Sequence, residues 1–153
     1  MSKLSSAFGN VDQLRIKTFE LQGQTFRVRV PLTRELENLA KRCEEIDATQ
    51  LEQRYEKAVA VFNKDTPAEG VEFRDDDVIV DGRSTKDLVQ TSMKMENRIV
   101  EYVKLLVPID GGVLTDLTYD DIEAEWPFQV QLEILGKISE AIQPGYKDAR
   151  KNS

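Results

Sequence analysis

The chain has 153 residues, no histidine and one cysteine, and its 28 acidic side chains outnumber its 21 basic ones to give a formal charge of −7. Without histidine it cannot form a Ser-His-Asp triad or a histidine-ligated metal site. The negative charge argues against general affinity for nucleic acid or for anionic membranes. No apolar run approaches the roughly 20 residues that span a bilayer, and a lone cysteine cannot form an internal disulfide, so we expect a cytosolic protein.

The first patterned segment alternates apolar and basic residues in two runs that are separated by Gln22 and Gly23. This period of two predicts a β-hairpin with strands at about 14–21 and 24–30. We expect one face of it to be buried, made of Leu14, Ile16, Thr18, Phe26, Val28 and Val30. The other face is basic and consists of Arg15, Lys17, Arg27 and Arg29. These side chains either contact phosphates or are solvated and pair with acidic side chains. The net negative charge of the chain favours the second interpretation.

Two helices are predicted next, at about 34–46 after Thr33 and at about 50–63 after Thr49. Thr33 suits an N-cap, and Thr49 with Glu52 has the spacing of a capping box. Cys43 lies on the apolar stripe of the first helix, so we expect its thiol to be inert.

A short second hairpin is predicted within residues 71–80, with its turn in the aspartate run 75–77. Ser84 and Asp87 then open the longest predicted helix, at about 85–107, which Pro108 ends. Apolar residues recur every seven positions along it over three heptads. The pattern is typical of an ordinary amphipathic helix that packs on its own domain, and a coiled coil is the alternative.

The last patterned segment contains a short acidic helix, which Thr118 and Asp121 open as a capping box, and a break at Pro127. An apolar helix at about 127–142 follows, with a face wide enough to be deeply buried or to meet a partner. Trp126 either anchors a partner or packs in the core where the two helical segments meet.

Together these elements predict an α+β, predominantly helical fold with an N-terminal β-hairpin, a small second hairpin and four to five amphipathic helices. We expect a flexible arm at 1–13, a single globular domain at 14–143 and a frayed polar tail at 144–153.

No pattern in the sequence marks a catalytic, cofactor or metal site. Gly136 and Lys137 lack the further glycine and the hydroxyl residue of a phosphate-binding loop. The aspartates at 75–77 lack the spacing of a calcium loop, and the acids at 120–125 suit the first turn of a helix. We therefore predict that the chain is not an enzyme and has no cofactor.

Three segments in this order resemble the small tail assembly chaperones of long-tailed, siphovirus-like bacteriophages: residues 26–32 (FRVRVPL), residues 119–128 (YDDIEAEWPF) and residues 131–135 (QLEIL). The resemblance implies a protein of the host cell cytoplasm that binds the tape measure protein, keeps it soluble, helps to recruit tail tube subunits and is absent from the virion. It implies no catalytic residues.

Two apolar faces are candidate contact surfaces for such a partner. The first is Leu88, Met95, Ile99 and Tyr102, and the second is Phe128, Leu132 and Leu135. The sequence does not show which of the two faces binds the partner, and either face could also form the contact in a homo-oligomer.

The family commonly makes a longer form by −1 ribosomal frameshifting, and the extension recruits tail tube subunits. Residues 135–137 and 150–152 both permit a slippery heptanucleotide. The alternative function is a structural virion or neck-type connector subunit, or another small homo-oligomeric adaptor. A nucleic-acid-binding regulator ranks third because of the acidic charge.

Overall fold

A computed structural model describes residues 3–9 and 12–143. These residues form an α+β, predominantly helical fold with two small antiparallel sheets, as predicted. The elements are α1 (Lys3–Phe8), a 3₁₀ turn (Asp12–Arg15), β1 (Ile16–Leu21), β2 (Gln24–Arg29), α2 (Thr33–Glu44), α3 (Ala48–Val59), β3 (Val71–Arg74), β4 (Asp77–Val80), β5 (Arg83–Ser84), α4 (Thr85–Val103), α5 (Tyr119–Glu125) and α6 (Phe128–Ile142).

The described residues belong to two compact units, the first made of the chain up to residue 39 and from residue 99, and the second of residues 40–98. A single globular domain at 14–143 stays a prediction. So does the flexible arm, within which α1 has no buried side chain. The predicted tail at 144–153 lies outside the described residues.

The hairpin of the first unit has the predicted turn, and its strands lie within the predicted ranges, although β1 begins at Ile16 rather than near residue 14. Gln22 and Gly23 both have positive φ, 51° and 81°, which is the backbone that two-residue hairpin turns require. Phe19 pairs with Phe26 across the strands, and their rings stack at 5.3 Å between centroids. Val28 is fully buried in a core that also contains Ile99, Val103, Leu106, Ile122, Ile134, Leu135 and Ile138.

The predicted faces of β1 are wrong, because the register places Phe19 and not Thr18 beside Phe26. Directly paired residues share a face, so Lys17 lies on the side of Val28, and Thr18 lies on the side of Arg27. Leu14 is 83% exposed. The two bulky residues at the end of β1, Phe19 and Leu21, pack against the core instead. The four basic side chains therefore do not line one face.

The longest helix also ends earlier than predicted, at Val103 rather than near residue 107. The N–H of Arg29 donates to the carbonyl of Leu105, and the N–H of Val107 donates to the carbonyl of Arg27. Leu106 thereby forms a β-bridge with Val28. Pairing with the open edge of β2 thus replaces the last helical turn before Pro108.

The second unit contains α3 and the sheet of β3, β4 and β5, of which the short β5 was not predicted. Asp47, and not Thr49, caps α3 by accepting from the N–H of Gln50 at 3.0 Å. Helix α3 accordingly begins two residues before the predicted start, and it ends at Val59. Thr33 is likewise the first residue of α2, where Glu35 accepts from the N–H of Leu32 at 3.0 Å.

Side chains of α4 hold the other helical segments of the second unit. Glu96 forms a bidentate ion pair with Arg54 of α3, with distances of 2.5 and 2.7 Å. The amide of Asn97 donates to the carbonyls of Cys43 and Glu45, at 3.2 and 2.7 Å, just where α2 ends. The side chain thus satisfies carbonyl groups that the end of a helix leaves without intrahelical partners. No helix in the described part of the chain is long and apolar enough to cross a membrane.

Candidate functional site: the Trp126 groove

The corner between α5 and α6 results from the sequence Trp126-Pro127. Thr118 opens α5 with a complete capping box, in which its hydroxyl accepts from the N–H of Asp121 and the carboxylate of Asp121 accepts from the N–H of Thr118. A residue before proline disfavours the helical region, and Trp126 is accordingly extended, with φ −119° and ψ 123°. The chain therefore turns out of α5 at Trp126 and begins α6 directly after Pro127.

A buried glutamine fastens this corner. Gln131 is 1% exposed. Its amide donates to the carbonyl of Trp126 at 2.9 Å, and its side-chain oxygen accepts from the hydroxyl of Tyr119 at 2.8 Å. A buried polar side chain is tolerated when its hydrogen bonds are made. Gln131 therefore fixes the backbone of Trp126 against both helices.

Beside this corner the first unit contains an apolar cavity of about 350 Å³. Its wall comes from β2, from the segment after α4 and from α5. Ile109, one of its lining residues, is fully exposed. The apolar lining residues are Phe26, Val103, Leu106, Val107, Pro108, Ile109, Leu114, Leu117, Ile122 and Trp126.

A second cavity of about 300 Å³ adjoins the first and shares Gln24, Phe26, Glu125 and Trp126 with it. The indole of Trp126 thus borders both. We call the two cavities together the Trp126 groove. Such a groove can accept a few apolar side chains, and the described residues that line it form no arrangement of a nucleophile with a base.

The groove has an acidic edge. Asp121 and Glu125, one helical turn apart on α5, both line the first cavity, against one basic residue, Arg27. The hydrogen bonds from the N–H and the hydroxyl of Thr118 lower the pKa of Asp121 below its usual value. Asp121 is therefore ionised at neutral pH. Residues 109–143 as a whole carry eight acidic and one basic side chain.

The structure separates the candidate residues on α4. Leu88 and Met95 belong to the second unit and are 47% and 36% exposed. Tyr102 is partly buried in the first unit, and Ile99 is fully buried in its core. Burial removes Ile99 from the candidate contact surface, and contact through the other three stays a prediction.

The candidate residues on α6 also divide. Phe128 and Leu132 are 54% and 40% exposed, one turn apart on the helix. Leu135 is buried in the core beside Ile134, because the stripe that faces the core is Gln131, Ile134, Leu135 and Ile138. Leu135 therefore leaves the candidate surface. Trp126 borders the core where α5 and α6 meet, which was the second of its two predicted roles.

Sequence reasoning gave no role to Ile109, which lines the groove, or to Gln131, which fixes the corner beside it. The signal for Ile109 was a large apolar side chain between Pro108 and Asp110. Gln131 is polar at a core position of an otherwise apolar stripe, which was the only sign of its buried hydrogen bonds.

Among residues 3–9 and 12–143 no group of three or more carboxylate or thiol side chains could hold a metal ion. Comparisons with protein-family models, curated proteins and solved structures found no match to this chain.

Proposed function

We propose that this chain is a non-catalytic phage tail assembly chaperone that binds the tape measure protein in the host cytoplasm, keeps it soluble and helps to recruit tail tube subunits. The proposal combines the resemblance of residues 26–32, 119–128 and 131–135 with one observation, the apolar Trp126 groove. All three resembling segments contribute to this groove, through Phe26, Trp126 and Ile134.

The size and the chemistry of the groove support a helical partner. An amphipathic helix enters a groove through apolar residues spaced three or four apart. A cavity of about 350 Å³ is near the lower end of the roughly 300–1,000 Å³ range of ligand pockets, which suits a few side chains. The acids at the edge favour a partner whose apolar stripe is flanked by lysine or arginine.

The occupant we propose is therefore an apolar, basic-flanked helix of the tape measure protein. The remaining negative charge of the chain would keep the complex soluble, because net charge of one sign opposes association. Exposed Phe128 and Leu132, which follow Trp126 on α6, are candidates for the outer part of the contact.

Binding of purified tape measure fragments to the chain tests this function. Trp126 is the only tryptophan, so its fluorescence reports on the groove when the fragment contains none. We expect Ile109→Asp to weaken binding by about 10–100-fold, because it places a charge where an apolar side chain must be buried. The fully exposed position of Ile109 leaves the fold intact.

Val61→Asp is the matched control, because Val61 is 81% exposed, belongs to the second unit and is not among the residues that line the groove. We expect it to bind as the unchanged chain does. Equal binding by both variants would contradict the proposal. So would a concentration-dependent dimer of the unchanged chain that Ile109→Asp abolishes, because the groove would then bind a second copy of the chain.

A further inference from the structure

A small cavity of about 150 Å³ in the first unit is lined by other charged residues than the Trp126 groove. Three basic side chains, Arg15, Arg29 and Lys104, line it together with one acid, Glu35. The excess of positive charge stands out in a chain of net charge −7. The rest of the wall is formed by Leu105, Leu106, Val107, Gly112 and Val113.

The three cations differ in how far their hydrogen bonds are satisfied. Arg15 is engaged, since its Nε donates to the carbonyl of Val30 at 3.0 Å and its Nη2 to Glu35 at 2.7 Å. Lys104 lies 3.6 Å from a carboxylate oxygen of Glu101, which is longer than a direct hydrogen bond. The Nε of Arg29 is buried and has no hydrogen-bond partner among the described residues.

An unsatisfied buried donor on a charged group is costly, and native structures rarely leave one. The Nε–H and the neighbouring Nη–H of a guanidinium point in parallel, and their spacing matches two oxygens of a carboxylate or phosphate. Backbone pairing holds Arg29 in place, because its N–H donates to the carbonyl of Leu105 at 2.9 Å. The backbone of Arg29 is thus fixed at the wall of the cavity.

We propose that this cavity binds a small oxyanion group, a carboxylate or a phosphate, which accepts hydrogen bonds from the guanidinium of Arg29 and pairs with the ammonium of Lys104. The volume of about 150 Å³ is below that of pockets for larger molecules, so the ligand is a free ion or one acidic group of a larger molecule. The cavity shares Leu106 and Val107 with the Trp126 groove, but its charged residues line neither cavity of the groove, and the proposal does not rest on the proposed function.

The test is titration of the full chain with sodium phosphate and, separately, with sodium acetate, each against sodium chloride at equal ionic strength. The readout is the nuclear magnetic resonance shift of the Arg29 Nε–H and of the amides of Gly112 and Val113. We expect saturable shifts with a Kd of about 1–10 mM for at least one anion. The anion that gives the tighter Kd separates a phosphate site from a carboxylate site.

Variants separate the site from general charge attraction. Arg29→Gln and Lys104→Gln should each raise the Kd at least about tenfold, and Lys104→Gln covers the case in which Arg29→Gln does not fold. Lys17→Gln removes the same charge from an exposed position of β1 outside the cavity and should leave the Kd unchanged. Shifts no larger than with chloride, or an equal loss in Lys17→Gln, would overturn the proposal.

Discussion

The hydrogen bonds of Gln131 should hold the corner on which the Trp126 groove is built. Gln131→Met keeps nearly the volume of the side chain and removes both bonds, to the carbonyl of Trp126 and to the hydroxyl of Tyr119. Each buried hydrogen bond contributes about 1 kcal/mol, and an acceptor left unpaired adds to the loss. Because Gln131 is 1% exposed, water cannot replace either bond. We expect the free energy of unfolding to fall by about 2 kcal/mol.

Urea unfolding followed by the fluorescence of Trp126 measures this loss, because the only tryptophan reports on the first unit. Tyr119→Phe removes one of the two bonds and should cost about 1 kcal/mol. The double variant should cost less than the sum of the single ones, because both remove the same bond. A loss under about 0.5 kcal/mol for Gln131→Met, or strict additivity, would refute the assigned network.

Three further predictions concern other parts of the chain. Ile138→Ala, at a fully buried position, should lower the free energy of unfolding by about 2–4 kcal/mol in the same urea assay, whereas Val61→Ala at an exposed position should change it by less than about 0.5. Burial alone raises the pKa of Asp77, but hydrogen bonds from Ser84 and from the N–H groups of Lys86 and Val78 outweigh it and lower the pKa. Asp77 therefore stabilises the fold above its unfolded pKa, near 3.9, and this contribution is lost as the pH falls through the lower folded pKa. The difference in the free energy of unfolding between the unchanged chain and Asp77→Asn should shrink below about pH 4 in urea titrations. A difference that does not change with pH would contradict this prediction. Gly70→Ala should destabilise the fold, because Gly70 has φ +83° and an added Cβ would collide with the side chain of Asp81. Gly136→Ala in α6 should stabilise the fold by about 0.5–1 kcal/mol, because the added Cβ meets nothing within 4 Å. Thermal unfolding should show a lower melting temperature for the first variant and a higher one for the second.

The sequence predicted most elements of the fold, because their signals are local. The turn at Gln22 and Gly23 and the capping box at Thr118 both form as the residue types require. The α+β, predominantly helical class followed from such elements. The proline at 127 correctly marked the break between α5 and α6.

The errors came from interactions between distant segments. Alternation alone placed Thr18 inward, whereas the packing of Phe19 and Leu21 on the core decides the register. At the early end of α4 the carbonyl of Arg27 accepts from the N–H of Val107, and the N–H of Arg29 donates to the carbonyl of Leu105. No helix pattern predicts these bonds between distant segments. Hydropathy likewise misses a buried Gln131, since its partners become visible only in three dimensions.

The candidate site was predictable only in part. The sequence singled out Phe128 and Leu132 but also included Ile99 and Leu135, because a helical stripe does not show which of its residues face the core. Trp126 was expected in the core rather than at a contact surface. The Trp126 groove needs segments that are about a hundred residues apart along the chain, from Phe26 to Trp126. Such an assembly cannot be predicted from a local pattern.

A prior check of the function uses the gene itself. A slippery heptanucleotide at residues 135–137 or 150–152 that opens a long −1 reading frame would support the longer chaperone form that recruits tail tube subunits. If there is no heptanucleotide and the −1 frame soon reaches a stop codon, that support is absent. A structural adaptor would then be as well supported as a chaperone.

Coexpression with the tape measure protein tests the central claim most directly, with the soluble fraction of that protein and the composition of purified virions as readouts. We predict that the unchanged chain and Val61→Asp keep the tape measure protein soluble, that Ile109→Asp does not, and that mass spectrometry detects none of the chain in virions. A tape measure protein that is equally soluble without the chain, or a chain present in virions at the abundance of a structural subunit, would contradict the account.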